Sequence, residues 1–339
     1  MLLQINISGR NDRVCRWRKL IGSRNDKIDR VKQQRRGRWG RISGIFLLSL
    51  VALFIIACFV FDHYVQFRMS DEQLNRLFKE NKLSATVNYY NAEGRTMRYV
   101  AIGSDTLPTL FMLHGSPSSL SIYREYFTDT QFLRMFRMVA VDRPGYGSSG
   151  FGVPEPSIER QAAMLWPLLK ALRGNKPLII VAGSYGTSVG CRLMMDHPKS
   201  ADGMMLIAPS LAPGEEKVYW FTNIVENRLV RWFIPRMLRS ANTEKINHEA
   251  ELKKMLPYWH RIQVPVSYLQ GANDNLIYTS NAKFAKEKLV NVPWLHIEFL
   301  KDRPHFFAFS DRMVIRQKIL DLYDVVKAGR SVVAGKSKM

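Results

Sequence analysis

The sequence predicts an α/β domain, a mostly parallel sheet of about eight strands with helices on both faces, behind one apolar helix near the N-terminus. Three observations carry this. From residue 109 to residue 326, short runs of β-forming residues alternate with helical patterns, the rhythm of strand–crossover–strand units. Several of the runs (109–113, 178–181, 204–208) are apolar throughout, as strands covered on both faces must be. Finally, residues 42–61 hold no charge over about 20 residues, long enough to span a bilayer as a helix.

Charge orients the apolar helix. The net charge is +21, and residues 1–42 carry thirteen Lys/Arg against three Asp. Arg35, Arg36, Arg38 and Arg41 precede the apolar run, whereas Asp62, His63, Gln66 and a lone Arg68 follow it. The positive-inside rule then predicts a signal-anchor: residues 1–41 cytoplasmic, 42–61 transmembrane, and the rest on the extracytoplasmic side, periplasmic in a bacterium. Fourteen of these twenty residues are Leu, Ile, Val or Phe, worth roughly 4–8 kcal/mol of insertion. A cleaved signal peptide would have a shorter run and a small-x-small exit. Ile55-Ile56-Ala57-Cys58 also fits a lipidation pattern at Cys58, but Phe59-Val60-Phe61 continue the apolar run past it. The basic lead carries no nucleic-acid reading motif, and beside an apolar helix it is expected to meet lipid head groups rather than nucleic acid.

Cysteine usage bounds the chemistry. Only Cys15, Cys58 and Cys191 occur, and only Cys191 follows the apolar helix. This excludes an intradomain disulfide, and no Cys/His spacing for a metal is present, so neither metal nor cofactor is expected. Cys191 reads as core.

After the apolar helix, 62–84 is a linker in which Ser70-Asp-Glu-Gln73 forms a capping box for a short amphipathic helix with Leu74, Leu77 and Phe78 on one side. The domain proper runs over 85–326. Residues 86–90 and 96–102 read as a hairpin around Asn91-Ala-Glu-Gly94. The strand at 109–113 ends in His114-Gly-Ser-Pro117, and that at 138–141 ends in Asp142-Arg-Pro-Gly-Tyr-Gly-Ser-Ser149. A helix over 157–172, strands at 178–181, 204–208, 264–269 and 294–299, and helices near 122–127, 185–197, 280–289 and 312–326 complete the pattern. Residues 327–339 are expected to be a disordered tail. About 55 residues separate the strands ending at 208 and starting at 264, twice what a crossover needs. The excess, about 210–244, contains Tyr219-Trp-Phe221, Trp232-Phe-Ile234 and Met237-Leu238, which predicts a small helical cap over a pocket, with a packed insertion or a membrane-facing surface as the other readings.

The most informative stretch is Leu178–Gly190. A buried strand turns through Ala182-Gly-Ser-Tyr-Gly186 into a helical pattern. A serine on a sharp strand-to-helix turn needs small neighbours, and the helix N-terminus beside it supplies N–H groups for an anion. Alone, the turn is also compatible with an ordinary Gly/Ser strand end.

Four motifs in order (His114–Pro117, Asp142–Ser149, the Ser184 turn, and a late acid–histidine pair) make the chain resemble the α/β-hydrolase superfamily over about residues 85–326. The resemblance implies Ser184 as nucleophile, Asp274 of Gln270-Gly-Ala-Asn-Asp274 as the acid, and His305 of Lys301-Asp-Arg-Pro-His305 as the base, in the chain order Ser…Asp…His. Asp302 is the rival acid, less well placed only three residues before His305. By the same analogy the backbone N–H groups of Ser116 and Tyr185 form the oxyanion hole. His114 and Asp142 brace loops; His63, His248 and His260 read as surface or interface residues. The motif departs from the family at Ala182, where glycine is usual, and at Gly183, where many lipases and peptidases have histidine; the latter adds flexibility or opens space below the nucleophile. Serine at the nucleophile position excludes the aspartate-based dehalogenase and epoxide-hydrolase chemistries.

The function implied is a membrane-anchored serine esterase or lipase-like hydrolase acting on an apolar acyl or lipid-like ester. A carbon–carbon hydrolase, a peptidase or an acyltransferase on the same triad, and a non-catalytic binding protein on this fold, stay open. Oligomeric state is not legible.

Overall fold

The computed structural model describes residues 32–34, 39 and 41–336. The basic lead expected over 1–41, with Cys15, lies almost wholly outside the described residues. The chain divides into two compact units, 1–60 and 61–339.

The described part of the first unit is most of helix α1 (Arg41–Tyr64), the one helix among the described residues long and apolar enough to cross a membrane. Its large apolar side chains point outward all round: Ile45, Phe46, Leu47, Leu48 and Leu53 are all more than 60% exposed.

The second unit begins with the capping box read from sequence. Ser70 Oγ accepts from the Gln73 N–H, Gln73 Oε1 accepts from the Ser70 N–H, and helix α2 (Asp71–Glu80) buries Leu74 and Phe78. Strands β1 (Ala85–Ala92) and β2 (Arg95–Ile102) form the hairpin. Glu93 and Gly94 both take positive φ (50° and 73°), the two-residue turn whose twist matches that of its strands.

Six more strands complete one eight-stranded sheet: β3 (Thr109–Leu113), β4 (Arg137–Val141), β5 (Leu178–Gly183), β6 (Gly203–Ile207), β7 (Val266–Gly271) and β8 (Leu295–Leu300). Their order is β1-β2-β4-β3-β5-β6-β7-β8, with β1–β2 and β2–β4 antiparallel and every other pairing parallel. Strand alternation sorts the core into two layers. Phe111, Val139, Ile180 and Leu206 pack under α5 (Ile158–Leu172), α6 (Tyr185–Asp196) and α10 (Ser280–Lys288). Leu110, Met112, Met138 and Val181 pack under α2, the short turns α3 (Arg124–Phe127) and α4 (Thr130–Leu133), and α12 (Arg312–Lys336). From β3 the chain turns one way to β4 and from β5 the other way to β6, so the crevice at the carboxyl ends of β3 and β5 is the topological switch point where such sheets bind ligands.

The long insertion after β6 holds two short helices, α7 (Thr222–Val225) and α8 (Arg228–Arg231), then α9 (Arg236–Met255). A short turn α11 (Phe307–Ser310) precedes α12. Two expected boundaries differ. Helix α9 runs eleven residues beyond 244, and α12 continues past Val326 to Lys336, with only the last three residues of the chain undescribed.

Candidate active site

Strand β5 delivers Ser184 to the switch point. Its backbone takes φ 49°, ψ −126°, a left-handed conformation that costs a non-glycine residue about 1–3 kcal/mol and persists only where the surroundings impose it. They do: the Ser184 N–H donates to the Ile207 carbonyl on β6 (2.8 Å), and its own carbonyl accepts from the Thr187 N–H and Thr187 Oγ1 (2.9 and 2.6 Å). The small residues around it have separate reasons. A Cβ on Gly186 would lie 2.5 Å from the His114 carbonyl oxygen, so helix and β3 loop could not close. Ala182 is fully buried and faces Gly190, whose added Cβ would sit 3.5 Å from the alanine methyl; the family's glycine is dispensable there because α6 carries the glycine instead. A Cβ on Gly183 would meet nothing within 4 Å.

Asp274 follows β7 and His305 follows β8. The structure brings both to Ser184: His305 Nε2 lies 3.1 Å from Ser184 Oγ, and His305 Nδ1 lies 2.7 Å from Asp274 Oδ2. The second carboxylate oxygen accepts from the N–H groups of Leu276 and Ile277 (3.0 and 2.9 Å), which fixes the carboxylate plane. With Asp274 accepting at Nδ1, the imidazole carries its proton there and leaves Nε2 free to accept from the serine hydroxyl. Both side chains are buried. Asp302 is exposed and not part of this chain.

The loop bearing Ser116 is held from behind by groups the sequence reading did not find. Arg143 is fully buried and donates through Nε to the His114 carbonyl (2.8 Å) and through Nη2 to the Gly115 carbonyl (2.9 Å). His114 Nδ1 lies 2.7 Å from the same Gly115 oxygen, while its Nε2 accepts from the Arg143 N–H (2.9 Å). Burial and the adjacent Arg143 hold His114 well below its ordinary range, so it stays neutral and acts as a brace, as read. The Gly115–Ser116 peptide is trans, so with its carbonyl drawn towards Arg143 its N–H points the other way. Among the described residues neither the Ser116 N–H nor the Tyr185 N–H has an acceptor within the protein.

The charge on Arg143 is balanced by Glu244 of α9 (2.6 and 3.2 Å), which also accepts from Tyr146 Oη (2.6 Å) and Gln161 Nε2 (2.9 Å). Ser116 Oγ in turn lies 2.7 Å from Tyr146 Oη. Burial and then the Glu244 carboxylate push the Tyr146 phenol well above its ordinary range, keeping it a donor. Asp142 braces its loop as read, accepting from the Leu120 and Ser148 N–H groups and pairing with the buried Arg98 (2.7 Å).

His248, expected at the surface or an interface, is buried: it is 1% exposed, 3.0 Å from Ser188 Oγ on one side and 3.0 Å from Glu216 Oε1 on the other. It lies there because α9 is a mostly polar helix whose polar face turns inward. Cys191 is buried in the core, and burial pushes its thiol upward, away from the thiolate.

Ser184, His305, Ser116 and Tyr185 open onto a cavity of about 560 Å³ beneath the insertion, walled by Tyr219, Phe221, Val225, Leu238, Leu276 and Phe306.

A family model for the alpha/beta hydrolase fold matches residues 108–295, more than half of the chain. Solved structures of the same architecture come from proteins of varied activity. A bacterial membrane phospholipase A, described as a virulence factor, has a TM-score of 0.58 at 17% identity, covering 83% of this chain and 98% of its own. A peroxisomal alpha-beta-hydrolase from Saccharomyces cerevisiae has 0.57 at 12%, covering 72% and 89%. An epoxide hydrolase from Vigna radiata has 0.56 at 16%, covering 72% and 98%. At these identities the likeness is one of fold. With the matched residues spanning β3 to β7 and the whole insertion between, this chain belongs to the alpha/beta-hydrolase fold family.

Proposed function

We propose that the protein is a serine hydrolase that cleaves a carboxylic ester of an apolar, lipid-like substrate through an acyl-enzyme on Ser184. The observation that carries the reading is the hydrogen-bonded chain Ser184–His305–Asp274 facing an apolar cavity. In this mechanism Ser184 Oγ attacks the ester carbonyl while His305 Nε2 takes its proton, and Asp274 holds the resulting imidazolium. The negative charge on the carbonyl oxygen meets the N–H groups of Ser116 and Tyr185, each worth roughly 3–4 kcal/mol of barrier. Collapse breaks the ester C–O bond, and His305 gives its proton to the departing alkoxide. Water then repeats the sequence on the acyl-enzyme, returning the acid and free Ser184.

The reading extends to the membrane. An isolated helix with large apolar side chains outward on every side is stable in hydrocarbon and not in water, so α1 is assigned as the anchor, its basic lead cytoplasmic and the hydrolase unit extracytoplasmic. Within the hydrolase unit, Asp62 accepts from the Arg236 N–H and Nε (2.6 and 2.9 Å), tying the first residues of the unit to the start of α9. The insertion presents Val218, Trp220, Leu229 and Trp232 outward, each more than 60% exposed, the kind of surface that favours a lipid interface.

A fluorophosphonate probe tests the chemistry: the wild type is expected to label and Ser184→Ala to stay dark, with hydrolysis of p-nitrophenyl esters following the same pattern. A wild type as dark as the variant would make the protein a binding module on a hydrolase fold. Alkaline extraction, with a C-terminal reporter active only in an oxidising compartment, tests anchoring and side.

A further inference from the structure

Two cavities meet at Ser184. Besides the large one, a second of about 180 Å³ is lined by Ser184 and Gly183 together with the buried, apolar Met112, Val181, Ile207 and Ile315. Arg124, Glu125 and Arg312 form its polar rim, with Arg312 Nη1 donating to the Glu125 carbonyl (3.0 Å). We infer that this smaller chamber is the acyl subsite, that the larger cavity takes the alcohol, and that Gly183 sets the length of acyl group accepted. The substrate class is then an ester of a short, apolar acyl group with a bulky apolar alcohol. The inference rests on the serine-hydrolase reading and divides the substrate between the two cavities.

The assignment follows from proton transfer. The leaving oxygen must receive its proton from His305 Nε2, so the alcohol must sit on the side of His305. His305 and Phe306 line the large cavity and not the small one, as do both backbone donors for the oxyanion, Ser116 and Tyr185. Three directions about the tetrahedral carbon (Ser184 Oγ, the oxyanion and the leaving oxygen) are thereby fixed. The fourth, the acyl substituent, is left to the chamber beside Gly183.

Size sets the cut-off. A dry apolar cavity of about 150 Å³ accommodates benzene, so 180 Å³ holds about six heavy atoms. The chamber exists because residue 183 has no side chain: a Cβ there would project into open space, with nothing within 4 Å to resist it. Gly183 carries no positive φ that would penalise a larger residue, so filling the space is sterically permitted.

The test is the acyl-length profile of the full-length protein on p-nitrophenyl esters from acetyl to dodecanoyl, in wild type, Gly183→Ala, Gly183→Val and Ile122→Trp; Ile122 also lines the chamber, so the last variant fills it from a second residue. The expected wild-type kcat/KM rises to about hexanoyl and falls beyond octanoyl. Each methylene excluded should lose about fourfold, so Gly183→Val and Ile122→Trp each lower the hexanoyl-to-acetyl ratio by at least about tenfold, with Gly183→Ala between. A wild-type profile that climbs through dodecanoyl overturns the assignment, even if a variant fails to fold. So does a hexanoyl-to-acetyl ratio that neither chamber-filling variant moves. Failure of the underlying reading looks different: no ester of any length is turned over and no fluorophosphonate label appears.

Discussion

Replacing Glu244 by glutamine keeps the side chain's volume and removes its charge, which makes it a sharp probe of the buried group behind Ser116. Glu244 accepts four hydrogen bonds, two from Arg143, one from Tyr146 and one from Gln161. A glutamine presents one acceptor oxygen and one donor NH₂, so at least one donor must face another donor. Arg143, fully buried, also loses its counter-charge. Breaking a buried pair this way costs about 3–5 kcal/mol, and at about 2–4 °C per kcal/mol for a domain near this size the midpoint of thermal unfolding should fall by roughly 6–20 °C. The catalytic consequence runs through geometry. Arg143 holds the Gly115 carbonyl and so aims the Ser116 N–H; if that donor drifts, kcat should fall between about tenfold and 10³-fold, with KM changed by less than about threefold. The double variant Arg143→Met/Glu244→Leu separates the two effects, since replacing a buried pair by apolar residues restores stability but takes the guanidinium off the Gly115 carbonyl and leaves His114 alone to aim the peptide. Thermal unfolding and p-nitrophenyl butyrate kinetics read both quantities. A double variant that regains wild-type kcat would refute the aiming argument, and a Glu244→Gln protein with unchanged stability would refute the charge argument as well.

Asp274→Asn should leave the fold intact and lower kcat by about 10³–10⁴-fold, because the amide can hold His305 in the wrong tautomer; slowed fluorophosphonate labelling checks it. Acid stability should depend on Glu216. Burial pushes its carboxyl up, but His248 and Lys245 outweigh that and hold it down at about 2, from an ordinary 4.5. A depressed folded-state value means stability that is present above about pH 4.5 and lost as pH falls towards 2, about 3 kcal/mol in all. Denaturant unfolding at pH 2.5 to 5.5 should show this slope in wild type and a flatter one in Glu216→Gln. Asp62→Asn weakens the tie to Arg236, and limited proteolysis should then cut the 215–236 segment faster, with the rest of the unit unchanged.

What was legible in the sequence was what has a periodic or local cause. Strand β5 reads as a strand because Leu178–Ala182 are buried on both faces, and Ser184 reads as a turn because the small Ala182, Gly183 and Gly186 stand around it. Asp274 and His305 came from motif order, their loops being held by short-range backbone bonds near each strand end. Helix α9 was the main miss. Its buried residues include Ser240, Glu244, His248 and Glu251, so the hydrophobic pattern that marks a packed helix is absent, and the apolar residues mark only the part of the insertion before 244. Arg143 is hidden in the sequence for a related reason: a buried arginine is identified by its partners, and Glu244 stands 101 residues away.

The inward polar face of α9 also explains how the site depends on the insertion. Glu244, His248 and Glu251 recur at intervals of four and three residues, one stripe of the helix. Each reaches a different part of the machinery. Glu244 holds Arg143 and Tyr146 behind the Ser116 loop; His248 holds Ser188, one turn after Ser184 on α6; Glu251 Oε2 accepts from the Ile158 N–H at the start of α5 (3.0 Å). An apolar stripe would have glued the same helix in place without fixing its register, since methyl groups slide where hydrogen bonds do not. Three polar contacts, each with a single partner geometry, set α9 to one rotation and one height over the sheet. A displacement of α9 by one residue would break all three at once, releasing the Ser116 loop and α6 together. Movement of the insertion large enough to admit a bulky alcohol is therefore expected in α7, α8 and the segments around them, with α9 staying fixed.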